Sequence, residues 1–505
     1  MRQPTLLVLA GALLALPRTG LLAAPPAAPD PRAVIPASLH VDAANAGAQD
    51  GSALRPFRTV QQAIDRAKDG AVIAVARGTY PENVRVRDKA VRLYGGYAGG
   101  TKAGYAKGSA GDFKSRDPAA NVSHLKGDGK DSVVTLAQAG ASVVDGFLVT
   151  GGGRSALAKP LWVGGGFYIL EGSPTISNNV IEKNRTCPPV KQEQEKLGGG
   201  IYSAAAKVTI LGNVIRNNVS GRGAGISVDG PKVVIRGNIV QDNIGVSDHG
   251  GGLYVFSPDA EISRNRVSGN EIGRDLGYGW GGGIIVFNKG GNYKLSHNVF
   301  TGNFAPSVGS AVFVDDGAVA SMDHDLVFAN ACNPKGTGAV PPVYVDGDGG
   351  GNGSTLTLDH VTIAGHTCKP TIAGNAITVT DKSKVVIKNS ILWNNGGDDL
   401  AVDKTSKATV SYTLASKLLK GTGNLSKDPL FADPKGHDYR LRSTGGRWDP
   451  TADGKRGAWV KDREHSPAID AGDPASPFKL EPAPNGDRAN LGHDGGTARA
   501  SKSAR

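Results

Sequence analysis

Short stretches of alternating hydrophobic and polar residues dominate the middle of the chain, from about residue 160 to about residue 400. Hydrophobic residues there recur in steps of two, as in Val233 and Ile235 or in Ile284 and Val286. A step of two places successive side chains on opposite faces of an extended strand. Glycine and asparagine separate the stretches, and both residues favour sharp corners. The pattern therefore predicts short β-strands joined at tight corners.

These strands belong to a repeat. Each unit opens with a triplet of small residues and continues to an asparagine-rich segment. The triplets are Gly164-Gly165-Gly166, Gly198-Gly199-Gly200, Gly223-Ala224-Gly225, Gly250-Gly251-Gly252, Gly281-Gly282-Gly283 and Gly309-Ser310-Ala311. One unit is too short to bury its own hydrophobic face, so the units must stack. We therefore predict an all-β fold, a parallel β-helix whose recurring corner asparagines form a ladder of stacked amides.

The two ends of the repeat carry segments of a different kind. Hydrophobic side chains at Phe57, Val60, Ile64 and Ala67 follow the spacing of an amphipathic helix. An open coil exposes strand edges, and this helix would cap the first coil. The proline-rich segment that follows Asn395 would cover the other end as a loop-rich C-terminal cap.

The first residues are typical of a secretory signal peptide. Arg2 precedes a hydrophobic run that extends from Leu6 to Leu16, and small residues follow at Ala23 and Ala24. No later hydrophobic stretch reaches the roughly 18 residues of a membrane helix. We expect a secreted or cell-surface protein, periplasmic or extracellular, with no transmembrane segment in the mature chain.

Composition and charge narrow the function classes. Glycine provides 72 of the 505 residues, about twice the usual share of roughly 7%, but without the period of three that marks collagen. The formal net charge of +11 includes Arg2 and Arg18, which would leave with the signal peptide. A basic exported protein favours acidic glycans, nucleic acid or anionic surfaces. Charge by itself does not choose among these partners.

Motifs on both sides of the repeat carry a family resemblance. They include Pro56-Phe57-Arg58-Thr59-Val60-Gln61, Gly78-Thr79-Tyr80-Pro81-Glu82-Asn83, Val144-Asp145-Gly146-Phe147, Asp428-Pro429-Leu430-Phe431, Ser466-Pro467-Ala468-Ile469-Asp470-Ala471-Gly472-Asp473 and Asn490-Leu491-Gly492. The chain resembles secreted bacterial β-helix proteins of the pectate-lyase-like superfamily, and its ending is similar to an anchor-like segment of such proteins. The resemblance implies a right-handed β-helix. It implies no single activity, because this scaffold hosts lyases, hydrolases, epimerases and non-enzymes.

Five regions are expected along the chain. They are a signal peptide (1–24), a Pro/Ala-rich linker (25–38), an N-terminal cap with the first coils (39–118), the β-helix repeats (119–415) and a C-terminal cap with an anchor-like segment (416–505).

The strand that follows each small-residue triplet predicts a binding face. Its first and third residues are mostly apolar and face inward, so its second and fourth residues face outward. The outward positions hold many aromatic residues, and sugar rings lie well on aromatic faces. The loops before the triplets would add a cleft wall. The candidate substrate-binding residues are Tyr202, Tyr254, Phe256, Phe287, Phe313, Tyr344, Arg274 and Trp280. The alternative is a tyrosine stack that loops cover.

Acidic residues fall on successive coils of the same face, at Asp315-Asp316 and at Asp346-Gly347-Asp348. Carboxylates so close together repel one another unless a cation binds or a proton is retained. Lyases of this fold often use Ca²⁺ with a basic residue, so the resemblance implies Asp315, Asp346 and Asp348 as metal ligands. Lys289 is the candidate base, and Asp315 and Asp316 complete the candidate catalytic set. The alternative is that these acids are surface residues of Asp-Gly turns.

Histidine and cysteine columns are also expected. The repeat aligns His297, His324 and His360, which would either bind a transition metal or replace asparagine at a corner of the coil. Cys332 and Cys368 each lie two residues after a corner on adjacent coils. Stacked sites about 5 Å apart suit a disulfide, and export permits one.

The leading hypothesis is an exported β-helix, a monomer, that binds an acidic, uronate-containing polysaccharide or cell-surface glycan and cleaves it by β-elimination, with Ca²⁺ as cofactor. Nucleic acid is not an expected partner. The alternative is a non-enzymatic adhesin or matrix protein that uses the β-helix as a rigid stalk.

Overall fold

The structure is a computed structural model that describes residues 30–155, 162–187, 196–330, 341–366 and 376–504. Within these ranges nearly all strands belong to three long parallel sheets, and each coil passes through sheet 1, then sheet 2, then sheet 3. This winding is a right-handed parallel β-helix. The β-helix predicted from the sequence is thus confirmed.

Sheet 1 contains the strands that follow the small-residue triplets. Its strands are Val84–Arg87, Val134–Ala137, Phe167–Leu170, Ile201–Ala204, Ile226–Asp229, Leu253–Phe256, Ile284–Phe287, Val312–Asp315, Val343–Val345, Ile377–Val379 and Leu400–Val402.

Sheet 2 follows sheet 1 in each coil. Its parallel strands are Leu39–Val41, Ala71–Ala76, Val91–Gly99, Val143–Asp145, Thr175–Ser177, Lys207–Leu211, Lys232–Arg236, Asp259–Ser263, Asn292–Ser296, Val319–Asp323, Thr355–Asp359, Lys384–Lys388 and Lys407–Ser411. One further strand, Asp112–Arg116, pairs antiparallel with Val91–Gly99.

Sheet 3 completes each coil. Its strands are Gly78–Tyr80, Ser123–Lys126, Phe147–Thr150, Val180–Glu182, Val214–Arg216, Ile239–Gln241, Arg266–Ser268, Val299–Thr301, Leu326–Phe328, Thr362–Ala364, Ile391–Trp393 and Leu414–Ala415. Shorter ladders pair Trp162–Val163 with Lys196–Leu197, and join Val219–Ser220, Ile244–Gly245 and Glu271–Ile272.

The inward positions of the three sheets form one continuous hydrophobic core. In one coil Ile226 and Val228 of sheet 1 meet Val233 and Ile235 of sheet 2 and Val240 of sheet 3, and all five side chains are buried. The strands pair in register from coil to coil, so residues that align in the repeat also align in space. The period of two in the sequence is therefore the period that separates core from surface.

Buried asparagines occupy two corners of the central coils, from Asn179 and Asn184 to Asn298 and Asn303. Between sheets 2 and 3, Asn213 donates from its side-chain amide to Asn238 Oδ1 (3.0 Å), which repeats the contact on the next coil. After sheet 3, Asn218 donates to Asn243 Oδ1 in the same way (3.0 Å). The predicted amide ladder is confirmed, and the structure adds a second ladder at the second corner.

Helix α1 (Val60–Arg66) covers the first coil, as the spacing predicts. Thr59 begins it with a capping box, in which its hydroxyl accepts from the backbone of Gln62 while the Gln62 side chain reaches back to Thr59. Val60, Ala63 and Ile64 are buried against the core. Phe57 precedes the helix and pairs with Val41 in an isolated bridge, so the helix is shorter than the apolar spacing suggested.

The C-terminal cap (residues 416–504) contains two small antiparallel hairpins and otherwise turns and loops. Phe431–Asp433 pairs with Asp438–Leu441, and Arg447–Asp449 pairs with Ala458–Val460. The remaining helices are short, α2 (Lys102–Ala106) near the N-terminal end and α3 (Ala452–Lys455) in the cap. Across the described ranges no helix has the length and apolar character needed to cross a membrane.

Candidate functional site

The outer face of sheet 1 aligns the predicted aromatic positions in two columns, and Phe256 and Phe287 belong to the second. The pairing registers place Tyr202 opposite Tyr168 and Ser227, Tyr254 opposite Ser227 and Ile285, and Phe313 opposite Ile285 and Tyr344. Strand alternation therefore positions these side chains as expected.

Burial divides the first column. Tyr202 is 7% exposed and Phe313 3% exposed. The Tyr202 ring stacks on Tyr168 at 6.0 Å between ring centroids and packs with Val163, and burial raises the pKa of Tyr202 to about 12. Tyr202 and Phe313 therefore lie below the surface, where they offer no ring face to a ligand. For these two residues the structure matches the alternative of a covered stack.

An aromatic shelf remains open in the middle of the face. We define it as Tyr254, Phe256, Tyr278, Trp280 and Phe287. The Phe287 ring lies 4.7 Å from that of Tyr254 and 5.1 Å from that of Phe256, and the Tyr278 ring lies 5.9 Å from that of Trp280. Phe256 is 36% and Tyr278 40% exposed, and the other three are half-buried.

His249 connects the two halves of the aromatic shelf. Its ring stacks on Trp280 at 4.9 Å and meets the edge of Tyr254 at 6.5 Å. His249 and Trp280 also pair as an isolated parallel bridge immediately before their strands of sheet 1. The loop segment before each triplet therefore forms a wall beside the sheet, as predicted.

An ion pair supports the aromatic shelf from the preceding coil. The Arg222 guanidinium donates two hydrogen bonds to the Asp248 carboxylate, of 2.6 and 2.9 Å. The same guanidinium lies 6.0 Å from the Tyr254 ring centroid. Burial opposes ionisation of Asp248, but His249 and Arg222 outweigh it and hold the pKa of that carboxyl well below its usual range. Arg222 is thus held by Asp248, and its guanidinium in turn positions the Tyr254 ring.

Arg222 was not among the predicted site residues, although the sequence contains a signal for it. Leu197, Arg222, His249, Trp280 and Val308 each stand immediately before a small-residue triplet. Bridges pair Leu197 with Arg222, His249 with Trp280, and Trp280 with Val308. Alignment on the triplets would have placed these residues in one column.

Arg274 is already engaged away from the aromatic shelf. Its guanidinium donates to Glu271 at 2.6 Å and lies 4.1 Å from the ring centroid of buried Phe304. Half of the Arg274 side chain is nevertheless exposed. A ligand could meet its edge but would have to share it with Glu271.

An acid row continues the face beyond the aromatic shelf. We define it as Asp315, Asp316, Asp346 and Asp348. Asp315 pairs in register with Phe287, and the Asp346 backbone bonds to Val314 on the adjacent strand. Burial, reinforced by the negative charges of Asp316, Asp346 and Asp348, raises the pKa of Asp315 to about 7. At neutral pH this carboxyl therefore exists in both protonation states, as a general acid or base requires.

Lys289 lies on the coil before Asp316. Its backbone segment runs beside Gly317, where the Gly290 N–H donates to the Gly317 carbonyl at 3.0 Å, and its Cγ flanks Gly317. The side chain is exposed. Hydrogen bonds from the side chain and backbone of Asn352, with smaller contributions from the Gly350 backbone and the Lys289 charge, lower the pKa of Asp348 to about 2. The structure thus brings the predicted base beside the acid row.

The predicted calcium ligands do not converge. Asp346 Oδ1 accepts from the Thr380 hydroxyl (2.8 Å) and from the Gly347 N–H (3.0 Å). Asp348 is held by the Asn352 side chain and by backbone N–H groups. A calcium site needs six to eight oxygens within 2.3–2.6 Å of one ion. In the described ranges, only one group of three acidic, histidine or cysteine residues has its ligand atoms within 4.8 Å of one another. That group is His297, Asp323 and His324, and it includes no member of the acid row. The acid row therefore does not fit a preformed calcium cage.

The predicted histidine column, His297, His324 and His360, lies at the corner between sheets 2 and 3. The rings of His297, His324 and His360 stack in parallel at 4.9 and 5.0 Å, and all three residues have φ between 51° and 55°. They stand one residue before the amide ladder, whose next positions are Asn298 and Asp325. The prediction that they are corner residues is confirmed, but they do not replace ladder asparagines.

His324 Nε2 lies 2.8 Å from the Gly495 carbonyl, which can only accept a hydrogen bond, so Nε2 carries a proton and offers no lone pair to a metal. His324 Nδ1 lies 2.9 Å from Asp323 Oδ1. The histidine that does join a ladder is His366, between Asn330 (3.3 Å) and Asn395 (2.9 Å). Cys332 and Cys368 lie outside the described residues, and Cys187 is buried.

Comparisons with known proteins place the chain among proteins described only broadly. Residues 43–273 match a family described as "Protein of unknown function (DUF1565)", and residues 366–472 match a family described as "Disaggregatase related". A crystal structure of pectate lyase Pel9A is similar at 12% identity and a TM-score of 0.41, over 91% of this chain and 96% of that chain. No curated protein matches the chain. The two family descriptions name no ligand, so a function must be argued from the geometry of the face.

Proposed function

We propose that this β-helix binds a polysaccharide along the aromatic shelf of sheet 1. The observation that carries the proposal is the group of outward rings at Tyr254, Phe256 and Phe287, in which Phe287 contacts both others from the next coil. Trp280 joins this group through His249, whose ring contacts both Trp280 and Tyr254. Coils repeat at about 4.8 Å, and sugar rings pack on aromatic faces with their hydroxyls directed at flanking polar groups. A row of rings beside a row of carboxylates suits several consecutive sugar units.

The finer proposal is that the polymer carries uronate groups, in keeping with the net charge of +11. Charge on the face itself limits how such a polymer would lie. Arg222 and Arg274 are paired with Asp248 and Glu271, and the acid row repels carboxylates. A uronate polymer would therefore turn its carboxylates toward exposed Lys289 or share added cations with the acid row.

Binding titrations of the mature chain against pectate, alginate, a neutral glucan and an amine-bearing polysaccharide test both levels of the proposal. Each titration is done with and without Ca²⁺. We expect Phe256→Ala and Trp280→Ala each to weaken binding about tenfold, which corresponds to about 1.4 kcal/mol. Trp459→Ala is the matched control, because Trp459 is 37% exposed in the C-terminal cap, close to the 36% of Phe256. Equal losses in all three variants would contradict a site on sheet 1.

The four polymers separate the finer proposal from the coarser one. Binding of pectate or alginate that requires Ca²⁺ supports the uronate assignment with a shared cation. Binding of only the neutral or the amine-bearing polymer removes the uronate assignment and leaves the shelf as a polysaccharide site.

A second candidate function is β-elimination at the acid row. It is favoured by the position of Lys289 beside Asp348 and by the pKa of Asp315, raised to about 7 by burial and neighbouring acids. Proton removal beside a uronate needs a base that is partly unprotonated at the working pH, and the raised pKa of Asp315 makes it a second candidate base. Ultraviolet absorbance of an unsaturated uronate product measures the reaction.

The two candidate bases are separated by Lys289→Ala and Asp315→Asn. Loss of product formation in one variant, with polymer binding retained, would assign the base. Absence of product on every uronate polymer that binds would remove the lyase proposal and favour the adhesin or matrix alternative.

Export is part of the same proposal. Residues 1–24 would be removed as a signal peptide, and the mature chain would meet its polymer outside the cytoplasm. N-terminal sequencing of the protein recovered from the periplasm or the medium tests this, and a start at Met1 would contradict it.

A further inference from the structure

The C-terminal cap does more than close the last coil, because it lies across the outer face of sheet 3. Outward residues Leu326, Phe328, Ile391 and Leu414 form a hydrophobic cluster with cap residues. The cap side of this cluster consists of Phe431, Tyr439, Leu441, Ala468, Ile469 and Leu491. The cap therefore covers an apolar surface that would otherwise face water.

One edge of this interface is polar and is formed by the turn at residues 490–496. From the solenoid side, His324 Nε2 lies 2.8 Å from the Gly495 carbonyl, and His324 Nδ1 lies 2.9 Å from Asp323. The Gly495 carbonyl can only accept a hydrogen bond, so Nε2 must carry a proton. Nδ1 makes no well-oriented hydrogen bond, but it lies at ion-pair distance from the Asp323 carboxylate. In a neutral ring Nδ1 would turn its lone pair toward that carboxylate, so the contact favours the imidazolium form of His324.

From the cap side, Glu481 holds the same turn. Its Oε1 accepts from the backbone N–H of Asn490 at 2.8 Å and of Gly496 at 2.6 Å, while Oε2 is buried without a hydrogen-bond partner. Glu481 is 4% exposed. A carboxylate buried in this way is stabilised by a proton on its unpartnered oxygen. The turn at 490–496 is thus clasped between two side chains that both favour their protonated forms.

We propose that the turn at residues 490–496 is a proton-operated latch, which fastens the C-terminal cap to sheet 3 when His324 and Glu481 are protonated and loosens as they lose their protons.

The charged groups around the latch agree with this direction. Burial opposes the imidazolium of His324, but Asp323, the Gly495 carbonyl and Asp359 outweigh it and raise its pKa. Burial, the charge of His324 and that of Arg264 lower the pKa of the stacked neighbour His297 to about 4, so His297 adds no charge at neutral pH. The other titratable or charged groups of the surrounding elements are Asp325, His360, Lys388, Arg440, Asp470, Asp473, His493 and Asp494.

The acid of the latch shifts stability in the same direction. Burial raises the pKa of Glu481 to about 7. A group whose pKa is higher in the docked state than in the released state stabilises docking below the released value, and that contribution is lost as pH rises through the docked value. His324 and Glu481 both have raised pKa values. Docking therefore weakens as pH rises from about pH 5 through about pH 7.

Release would have a defined structural consequence. The freed apolar residue Leu326 pairs in register with Val299 and, through Thr362, aligns with Ile391. Arg266 interrupts the same column before Ile239. Undocking of the cap would thus expose the apolar residues Leu326, Phe328, Ile391 and Leu414 at the end of sheet 3, and an apolar dye can report this exposure.

Hydrogen exchange of the full mature chain between pH 5.5 and pH 9 tests the latch, with amide rates at 490–496 corrected for the intrinsic effect of pH. We expect protection of these amides to fall by about tenfold for each unit by which docking raises a pKa, while core amides such as Val255 remain protected. Binding of an apolar dye should rise over the same range.

Two variants and one control make the test decisive. His324→Asn suits the left-handed corner, where Asn178 and Asn389 stand on other coils, and Glu481→Gln keeps an acceptor for the two N–H groups. The double variant should lose the pH dependence at 490–496. His297→Asn, in the same column but without a bond to the cap, should retain it. A wild-type turn whose protection does not change with pH, or a double variant with the wild-type slope, would overturn the proposal.

Discussion

The outer faces of sheets 1 and 3 have the same backbone arrangement but differ in how much of their surface is exposed. Both present every second residue outward on strands that pair in register. On sheet 1 the rings of the aromatic shelf stay partly open, and charged side chains flank them. On sheet 3 the last coils present aliphatic residues, which the C-terminal cap buries. An outward position on a β-helix is therefore a position whose exposure is decided by a second layer, not by the strand.

The largest expected effect is on the scaffold that both faces share. Asn303 accepts from the Asn270 backbone N–H (3.1 Å), and its amide donates to Asn330 (2.9 Å) and to the Val267 carbonyl (2.9 Å). Asn303→Leu would leave these buried groups without partners, at about 1–3 kcal/mol each, so we expect about 3–5 kcal/mol of destabilisation in urea unfolding. Val386→Ala, 40% exposed on sheet 2, should change stability by less than about 0.5 kcal/mol. A tolerated Asn303→Leu would show that the ladders are not structural.

The next effect separates the two faces directly. Leu491 is 1% exposed between the cap and sheet 3, so Leu491→Ala should cost about 2–4 kcal/mol of cap stability. Phe256→Ala on sheet 1 removes a larger side chain that is 36% exposed, and we expect it to cost less than about 1 kcal/mol. Thermal unfolding with hydrogen exchange in the cap measures both. The comparison fails if Phe256→Ala is the more destabilising change.

A smaller effect concerns the ion pair under the aromatic shelf. Arg222→Ala would leave Asp248, whose side chain is 8% exposed, without its bidentate partner. We expect a loss of about 1–2 kcal/mol, since Arg222 itself is partly exposed, together with weaker polysaccharide binding through a looser Tyr254. The pKa of Asp248 is depressed in the folded protein, so its contribution is present above the unfolded value and is lost at acidic pH. Arg222→Lys keeps the charge but not the bidentate guanidinium. Its stability and its polysaccharide affinity should therefore lie between those of the wild type and those of Arg222→Ala.

The smallest effect is a titration within the acid row. Asp346→Asn removes a negative charge beside Asp315, so the pKa of Asp315 should fall below about 7. Burial remains its main cause, and the value should stay above that of a free aspartate. Carbon-13 NMR of labelled aspartates measures the midpoint. A rise, or no change, would show that Asp315 is isolated from the row.

Stability should follow the same carboxyl in a predictable direction. Because the pKa of Asp315 is raised in the folded state, the protein binds more protons folded than unfolded between about pH 4 and pH 7. Unfolding free energy therefore falls across this interval through Asp315. Asp315→Asn should flatten that part of the pH–stability curve, as urea unfolding at several pH values can measure.

Much of the site was predictable, and the part that was not has a common cause. Period-two alternation and the small-residue triplets were enough to place Tyr254, Phe287 and Asp315 on one face. Alternation cannot report what lies above a strand, so it could not decide whether Tyr202 and Phe313 are open or covered. Arg222 was missed because its role depends on Asp248, 26 residues later in the chain and one coil away.

The sequence by itself determined the β-helix, its register and its corner ladders, because these depend on a local period and on contacts that repeat at every coil. Tertiary structure alone decided which outward face stays exposed, which acidic residues interact electrostatically and where the C-terminal cap docks. The contact between His324 and Gly495 joins residues 171 positions apart. Such contacts follow no period, since they arise where a loop or cap of unique sequence meets a regular surface.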